Sequence, residues 1–183
     1  MLYIALLHHP VYNKEGKVVT TAIANMDIHD IARLTKTYGL RSFYVINPIS
    51  AQRDLAQEII DHWREGYGAT YNKFRKEAFE LVSLKVSLDE VTKEIETHSG
   101  QAPKTIVTSA NFNEGYLTFT SLRKMLKSNN LPYLLIFGTG SGIADEVIQK
   151  ADYRLEALKG DGDYNHLAVR SAVAIILDRI VKI

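Results

Sequence analysis

Three glycines alternate in the segment LLIFGTGSGIADEVI, residues 134–148, between an apolar run and a helix-like stretch. They are Gly138, Gly140 and Gly142. Because glycine lacks a Cβ atom, the backbone there can adopt positive φ and a ligand can contact the peptide groups directly. The spacing predicts either a tight strand-to-helix turn or a ligand site built from backbone amides.

Two other polar loops follow predicted strands in the same part of the chain. They are TSANFNEG, after a strand ending near Ser109, and LKGDGDYNHL, after a strand ending near Leu158. In an open parallel sheet, ligands bind beyond the carboxyl ends of the strands, where loop amides and helix N-termini converge. We therefore expect the three loops to form one site.

One class of ligand for such a loop is a dinucleotide such as NAD. That site needs G-x-G-x-x-G after an early strand and an acidic residue about twenty positions later. Here the pattern is G-x-G-x-G, and Glu156 lies at a suitable distance. Only one predicted strand follows the loop, however, so the usual βαβαβ unit cannot be built, and we regard this alternative as the weaker one.

Short apolar runs alternate with amphipathic segments along the whole chain. This alternation is typical of a parallel sheet covered on both faces. We therefore predict an α/β fold with a single domain over residues 1–183, a mostly parallel sheet and helices on both faces. The predicted strands are 2–7, 42–46, 79–86, 105–109, 133–137 and 153–158, and the predicted helices are 25–39, 50–66, 87–100, 119–130 and 165–180.

Several residues predict where these helices begin. Asn25 or Asp27 can cap the first helix, and Ser87 with Glu90 has the spacing of a capping box. Residues 66–77, GYGATYNKFRKE, are the least regular part of the pattern.

The composition excludes several classes of site. The chain has 183 residues, a formal net charge of +1 and no cysteine, so disulfides and thiolate metal sites are excluded. Its six histidines show no H-E-x-x-H spacing, and we expect no metal site. With no signal-peptide pattern at the start and no long uncharged apolar run, we expect a cytoplasmic protein without membrane contact.

Three segments resemble motifs of the SPOUT superfamily of knotted RNA methyltransferases. DIHDIARLTKTYG resembles its N-x-G-x-x-x-R-x-x-x-x-x-G segment, with Asp27 and His29 in place of asparagine and glycine. FGTGSG resembles its G-x-E-x-x-G loop, and YNHLAVRSAVAI resembles its S-L-N-V-x-V-A-A-A-I segment, with His166 at the asparagine position. Together with the HHPVYNK start, they are similar to a bacterial family of predicted S-adenosylmethionine-dependent RNA methyltransferases.

This resemblance implies a C-terminal trefoil knot over approximately residues 104–183 and a homodimer whose subunits share the active site. It also implies that the three loops bind S-adenosylmethionine, which the protein uses for in-line methyl transfer to RNA, either tRNA or rRNA. The residues expected to bind the cofactor are Thr108, Ser109, Ala110, Phe137, Gly138, Thr139, Gly140, Gly142, Leu158, Asn165, His166 and Leu167.

The resemblance further assigns Arg33 to the acceptor side, often from the neighbouring subunit, with Asp27 and Asp163 as further catalytic candidates. The alternative for Arg33 is a surface ion pair with Asp30 or Asp27, and the alternative for Asp163 is turn chemistry. His166 or Asn165 could instead cap the last helix.

An aromatic and basic segment, residues 62–76, is the best candidate for contacting RNA, because exposed aromatic rings stack on unpaired bases and cations hold phosphates. Some of its rings could belong to the core instead. A different class of function also stays open, namely a catalytically silent module that binds S-adenosylmethionine, RNA or a partner protein. The predicted RNA contacts are Trp63, Arg64, Tyr67, Tyr71, Lys73, Arg75 and Lys76.

Overall fold

A six-stranded, entirely parallel sheet forms the centre of the computed structural model, which describes residues 1–112, 114, 116–162 and 164–181. Its strand order is β5-β4-β1-β7-β6-β8. A separate antiparallel pair, β2 and β3, lies between β1 and the first helix. The strands are β1 (Leu2–Leu7), β2 (Val11–Tyr12), β3 (Val18–Val19), β4 (Phe43–Ile46), β5 (Val82–Lys85), β6 (Lys104–Val107), β7 (Tyr133–Gly138) and β8 (Tyr153–Arg154).

Helices cover both faces of the sheet, and the side chains of β1 alternate between the two cores. Leu2, Ile4 and Leu6 pack in one hydrophobic cluster with α1, α2, α4, α6 and α8, whereas the residues between them face α5 and α7. The predicted α/β fold is confirmed. The helices are α1 (Asn25–Thr37), α2 (Ser50–Arg64), α3 (Tyr67–Tyr71), α4 (Lys73–Phe79), α5 (Leu88–Ser99), α6 (Phe119–Ser128), α7 (Asp145–Lys150) and α8 (Val169–Val181).

Three predicted boundaries are wrong. Ala24 is the N-cap of α1, and no side chain caps that helix, because Asn25 already lies inside it. Residues 66–77 contain α3 and most of α4 rather than irregular chain. The predicted strand 79–86 is shortened to β5 because α4 extends to Phe79.

The start of α5 follows its prediction closely. The Ser87 hydroxyl accepts a hydrogen bond from the amide of Glu90 at 3.3 Å. The Glu90 carboxylate in turn accepts one from the amide of Val86 at 2.9 Å, one residue earlier than in a standard capping box. The helix ends at Gly100, as predicted.

The order of the strands brings the predicted loops together. The chain builds β4 and β5 on one side of β1 and then crosses to the other side, where β7 inserts between β1 and β6. Loops beside such a reversal of strand order diverge at the carboxyl edge and leave a crevice there. The loops after β6, β7 and β8 all leave the sheet on this side of β1.

His8, at the end of β1, is a buried histidine without a charged partner. Its Nδ1 atom lies 3.0 Å from the hydroxyl of Thr21, and its Nε2 atom has no hydrogen-bond partner among the described residues. Burial disfavours the charged imidazolium and lowers the pKa of His8 from 6.5 to about 4. His8 is therefore neutral in the folded protein at neutral pH.

This burial predicts a specific pH dependence of stability. Between pH 6.5 and 4 the His8 imidazole is protonated in the unfolded chain but stays neutral in the folded chain. The free energy of unfolding therefore falls as the pH falls. We expect His8→Asn, which keeps a polar atom near Thr21, to lose about 2 kcal/mol less than the unchanged protein between pH 7 and pH 5. Urea unfolding followed by circular dichroism at the two pH values measures this difference. Equal losses in both proteins would contradict the prediction.

Candidate functional site

A cavity of about 480 Å³ opens where the loops after β6, β7 and β8 meet. The structure brings together around this cavity all twelve residues that the sequence assigned to the cofactor. It also adds residues that were not expected there. The twelve are Thr108, Ser109, Ala110, Phe137, Gly138, Thr139, Gly140, Gly142, Leu158, Asn165, His166 and Leu167, and the additions are Asn111, Ser141, Ile143, Glu156, Ala168, Val169, Arg170, Ala172 and Ile176.

The glycines of the loop after β7 are required by the packing of the loop itself. Gly140 has φ +61°, and a Cβ atom on it would lie 2.7 Å from the carbonyl oxygen of Tyr12. A Cβ atom on Gly138 would lie 2.5 Å from the side chain of Ile143. Protein atoms therefore occupy the space that these glycines leave, and the ligand-contact explanation is not needed for either position.

The N-terminal segment between β1 and α1 clamps this loop. The amide of Ser141 donates to the carbonyl of Tyr12 at 2.7 Å, and the amide of Tyr12 donates to the carbonyl of Gly142 at 2.8 Å. Between Gly138 and Gly140, the Thr139 hydroxyl donates to the carbonyl of Leu7 at 3.1 Å and contacts the Thr21 hydroxyl. These hydrogen bonds hold the glycine loop against the N-terminal segment.

The two remaining loops are joined directly by Asn165, whose side-chain amide donates to the carbonyl of Ala110 at 3.2 Å. Neither Asn165 nor His166 caps α8, because that helix begins at Val169, and the amides of Ser171 and Ala172 donate to the carbonyl of Ala168. The alternative role of these two residues as caps is therefore wrong. His166 instead lies beside the ring of Tyr164, with ring centroids 5.7 Å apart.

Besides His166, three ionisable side chains line the cavity, and they come from different elements. Asp27 lies in α1 and is only 8% exposed, Glu156 follows β8, and Arg170 lies in the first turn of α8. The Glu156 carboxylate accepts a hydrogen bond from the amide of Phe119, at the start of α6. It thereby satisfies a free amide at a helix N-terminus.

Arg170 pairs with two carboxylates of α1. Its Nη1 atom lies 3.1 Å from Oδ1 of Asp27, and its Nε atom lies 3.4 Å from Oδ2 of Asp30. Arg170 is not among the site residues predicted from the sequence. A usable signal existed, because a basic residue in the first turn of an apolar helix faces the positive end of the helix dipole and so needs compensation.

The predicted catalytic residues are separated in the structure. Asp27 lines the cavity, whereas Arg33 does not. The Arg33 guanidinium lies 3.8 Å from Asp30, and its side chain is 60% exposed, so the alternative of a surface ion pair exists within one protomer. Asp163 lies outside the described residues, and its role stays a prediction.

Two histidines from the motif segments lie away from the cavity. His29, at the position of the usual glycine, packs edge-on against Trp63 and Phe79, with ring centroids 5.3 and 4.7 Å away. Burial, with the nearby Arg75 charge, lowers its pKa. His9 contacts the Thr20 hydroxyl and the carbonyl of Val19. Neither residue lines the cavity.

The predicted RNA-contact segment divides into a packed part and an exposed part. Trp63 packs on Phe79, and the Arg75 guanidinium lies over the Trp63 ring, 4.5 Å from the centroid of that ring. Arg64 donates to the carbonyl of Phe79 at 2.8 Å. These side chains hold α2 against α4. By contrast, the rings that remain open to solvent are Tyr67 (75% exposed), Tyr71 (74%) and Phe74 (85%), with Lys73 also exposed.

The described part of the chain contains neither a membrane-spanning helix nor a metal site. No helix there is long and apolar enough to cross a membrane. No group of three or more His, Cys, Asp or Glu side chains in the described ranges is arranged to hold a metal ion.

The cavity has the size of a site for one small molecule, and its lining suits a nucleoside carrying a cationic group. Loop amides and carbonyls can read the edge of a neutral purine, and the cavity contains no lysine. Because Asp27 is paired with Arg170, Glu156 is the carboxylate of the lining that can balance a positive charge on the ligand. S-adenosylmethionine has these features, since it combines adenosine with a sulfonium centre.

Comparison with known proteins agrees with this chemistry. The sequence pattern of a family described as SAM-dependent RNA methyltransferase matches residues 1–182. A solved structure from Haemophilus influenzae Rd KW20, described as a probable methylase family protein, shares the fold with a TM-score of 0.66 at 16% identity, covering 98% of this chain and 62% of that one.

Two relatives are more similar in sequence. An uncharacterized protein of Aquifex aeolicus (strain VF5) is 41% identical over 179 residues, which are 98% of this chain and 87% of that protein. A protein of Oleidesulfovibrio alaskensis named tRNA (guanine-N(1)-)-methyltransferase is 42% identical over 180 residues. This chain spans 42% of the length of the latter protein. The match to the family pattern over nearly the whole chain shows that this protein belongs to the family of S-adenosylmethionine-dependent RNA methyltransferases.

Proposed function

We propose that this chain binds S-adenosylmethionine in the cavity between its three C-terminal loops and methylates a nucleotide of tRNA. The observation that carries the proposal is the cavity itself. Its lining contains an acidic and a basic side chain, Asp27 and Arg170, which are paired with each other. The choice of tRNA over rRNA is supported by the Oleidesulfovibrio relative, which is named for a tRNA substrate.

Methyl transfer from a sulfonium is an in-line displacement at carbon, and the bound cofactor supplies the methyl group. The chain must therefore orient the acceptor, remove its proton and exclude water. We assign proton removal to Asp27, which is nearly buried at the cavity. The three loops, held by the Tyr12 clamp and the Asn165 contact, orient the two reactants. Asp163 stays a second candidate for the proton acceptor.

We further propose that the protein is a homodimer in which Arg33 acts in the cavity of the other subunit. Arg33 is exposed and does not line the cavity of its own protomer. Met26 in α1 and Ile175 in α8 are apolar residues exposed on the two helices that carry Asp27 and Arg170. An isologous contact through these helices would cover both residues and place Arg33 near the partner cavity.

The exposed rings of α3 and α4 are the proposed contact for the RNA strand. Tyr67 and Tyr71 stack on each other with centroids 6.0 Å apart, and Phe74 and Lys73 follow on the next short helix. Open aromatic faces bind unpaired bases with little sequence preference, and a lysine beside them neutralises phosphate.

A second function is favoured by the coverage of the relatives. More than half of the Oleidesulfovibrio protein lies outside its match to this chain, so that remainder could carry the activity in its name. In that case the chain would be a silent module that binds S-adenosylmethionine or RNA without transferring the methyl group. Turnover of labelled S-adenosylmethionine on total tRNA separates the two functions.

The first prediction concerns the cofactor. We expect calorimetric titration to show roughly micromolar binding of S-adenosylmethionine and S-adenosylhomocysteine and no binding of NAD. Ala110→Trp should abolish binding, because Ala110 lines the cavity and an indole there would fill it. Ala51→Trp, on the exposed surface of α2, is the matched control and should bind normally. Binding of NAD alone would revive the dinucleotide alternative. A bulky residue at Gly140 is a poor probe, since it would also clash with Tyr12.

The second prediction concerns the shared site. Arg33→Ala should lose turnover but keep cofactor affinity, and Ala110→Trp should lose both. If Arg33 serves the partner cavity, each mixed dimer of the two variants regains one of its two sites, so the isolated mixed dimers should show about half of normal activity. Two affinity tags isolate the mixed dimers for assay. No recovery would contradict the shared site, and sedimentation as a monomer would contradict the dimer.

The third prediction concerns the RNA surface. Phe74→Ala should weaken tRNA binding by roughly 1–3 kcal/mol, because a stacking face is lost. Lys73→Ala should lower the slope of log affinity against log salt by about one, since one phosphate contact disappears. Leu55→Ala removes an apolar side chain that is 55% exposed on α2 and serves as the control. Filter binding at several salt concentrations measures all three variants, and a flat salt response in the unchanged protein would argue against this surface.

A further inference from the structure

Arg170 occupies a position that is electrostatically unfavourable without compensation. It lies in the first turn of α8, a helix of 13 residues, where free amides and the helix dipole create positive potential. The first turn of α8 contains no acidic residue, so the compensation comes from another element. Two carboxylates of α1 supply it, Asp27 at 3.1 Å and Asp30 at 3.4 Å.

The two carboxylates differ in their surroundings. Asp27 lines the cavity and its side chain is 11% exposed, whereas Asp30 does not line the cavity and its side chain is 38% exposed. A carboxylate that is nearly buried keeps its charge at low cost only beside a positive partner. The Arg170 guanidinium is that partner, and its planar shape also fixes the direction of the carboxylate to which it bonds.

We propose that Arg170 is the positioning residue of the methyl-transfer reaction, which holds the Asp27 carboxylate in one orientation, aimed at the methyl acceptor. This inference rests on the proposed function, since it deepens the role given there to Asp27. The ion pair uses Oδ1 of Asp27, and Oδ2 is the oxygen that we assign to the acceptor proton.

Methyl transfer forms one bond to the methyl carbon and breaks another. A lone pair of the acceptor oxygen or nitrogen of the nucleotide forms the new bond to the methyl carbon, and the carbon–sulfur bond breaks, with its electron pair remaining on sulfur. The acceptor proton passes to Oδ2 of Asp27. The products are S-adenosylhomocysteine, the methylated nucleotide and a protonated Asp27, which returns its proton to water. Arg170 takes no part in the bonds that form or break.

A purely structural explanation exists and makes different predictions. If Arg170 only joins α8 to α1, its contacts with Asp27 and Asp30 are equivalent, and loss of either should lower stability without a selective effect on turnover. Asp30→Asn is therefore the matched control for Asp27→Asn. Both replacements are isosteric, and both remove one carboxylate from the same guanidinium.

The test is a double-mutant cycle with single-turnover rates on total tRNA and labelled S-adenosylmethionine. We expect Asp27→Asn to slow methyl transfer by about 100-fold or more, because a general base is lost. Arg170→Gln should slow it by roughly tenfold or more, with cofactor affinity unchanged, and Arg170→Lys should recover part of the loss. In the Asp27→Asn background, Arg170→Gln should have no further effect, because it acts through Asp27. Asp30→Asn should slow methyl transfer much less than Asp27→Asn does, because Asp30 does not line the cavity.

Several results would overturn the inference. They are a normal rate in Arg170→Gln, equal losses in Asp27→Asn and Asp30→Asn, or additive losses in the double variant. Thermal unfolding of each variant shows whether it is folded, and if Arg170→Gln does not fold, the comparison of Arg170→Lys with Asp30→Asn decides. Absence of turnover in the unchanged protein would overturn both this inference and the proposed function, whereas the other outcomes concern Arg170 alone.

Discussion

Parallel pairing of β7 with β1 is the constraint on which the rest of the molecule depends. It places the glycine loop at the carboxyl end of a central strand, directly beside the segment that follows β1. Backbone hydrogen bonds from Tyr12 then fix the loop, and the neighbouring loops after β6 and β8 complete the cavity. Because all six strands are parallel, each of these loops leaves the sheet at the same edge.

The electrostatics of the cavity follow from how few charges it contains. Asp27, Glu156, His166 and Arg170 are its ionisable side chains among the residues that the structure describes, and Asp27, Glu156 and Arg170 are each engaged by another group of the protein. Fixed charges of this kind need no rearrangement when a reaction moves charge through the site. The remaining contacts come from backbone atoms, whose positions the loop hydrogen bonds determine.

Hydrophobic periodicity predicted the six strands of the sheet and most helices, because burial sets that pattern directly. The segment 66–77 was misjudged because α3 and α4 are short, and their order depends on tertiary contacts such as that between Trp63 and Arg75. The twelve residues that the motif resemblance assigned to the cofactor all line one cavity. The resemblance could not reveal Arg170, because the pairing of α8 with α1 joins residues about 140 positions apart. Nor could it show that Gly140 accommodates the carbonyl of Tyr12, since a close approach between distant segments leaves no periodic signal.

The clamp formed by Tyr12 also determines what could be separated from this protein. Although the cavity is lined almost entirely by residues after position 107, the glycine loop takes its shape from hydrogen bonds to residues 7–12, and Asp27 comes from the first helix. A fragment containing only the C-terminal half would carry nearly every lining residue and still lack a formed site. Both halves of the chain are consequently needed to form the cavity. That conclusion agrees with relatives that align over 98% of the chain, including one in which the same unit forms part of a longer protein.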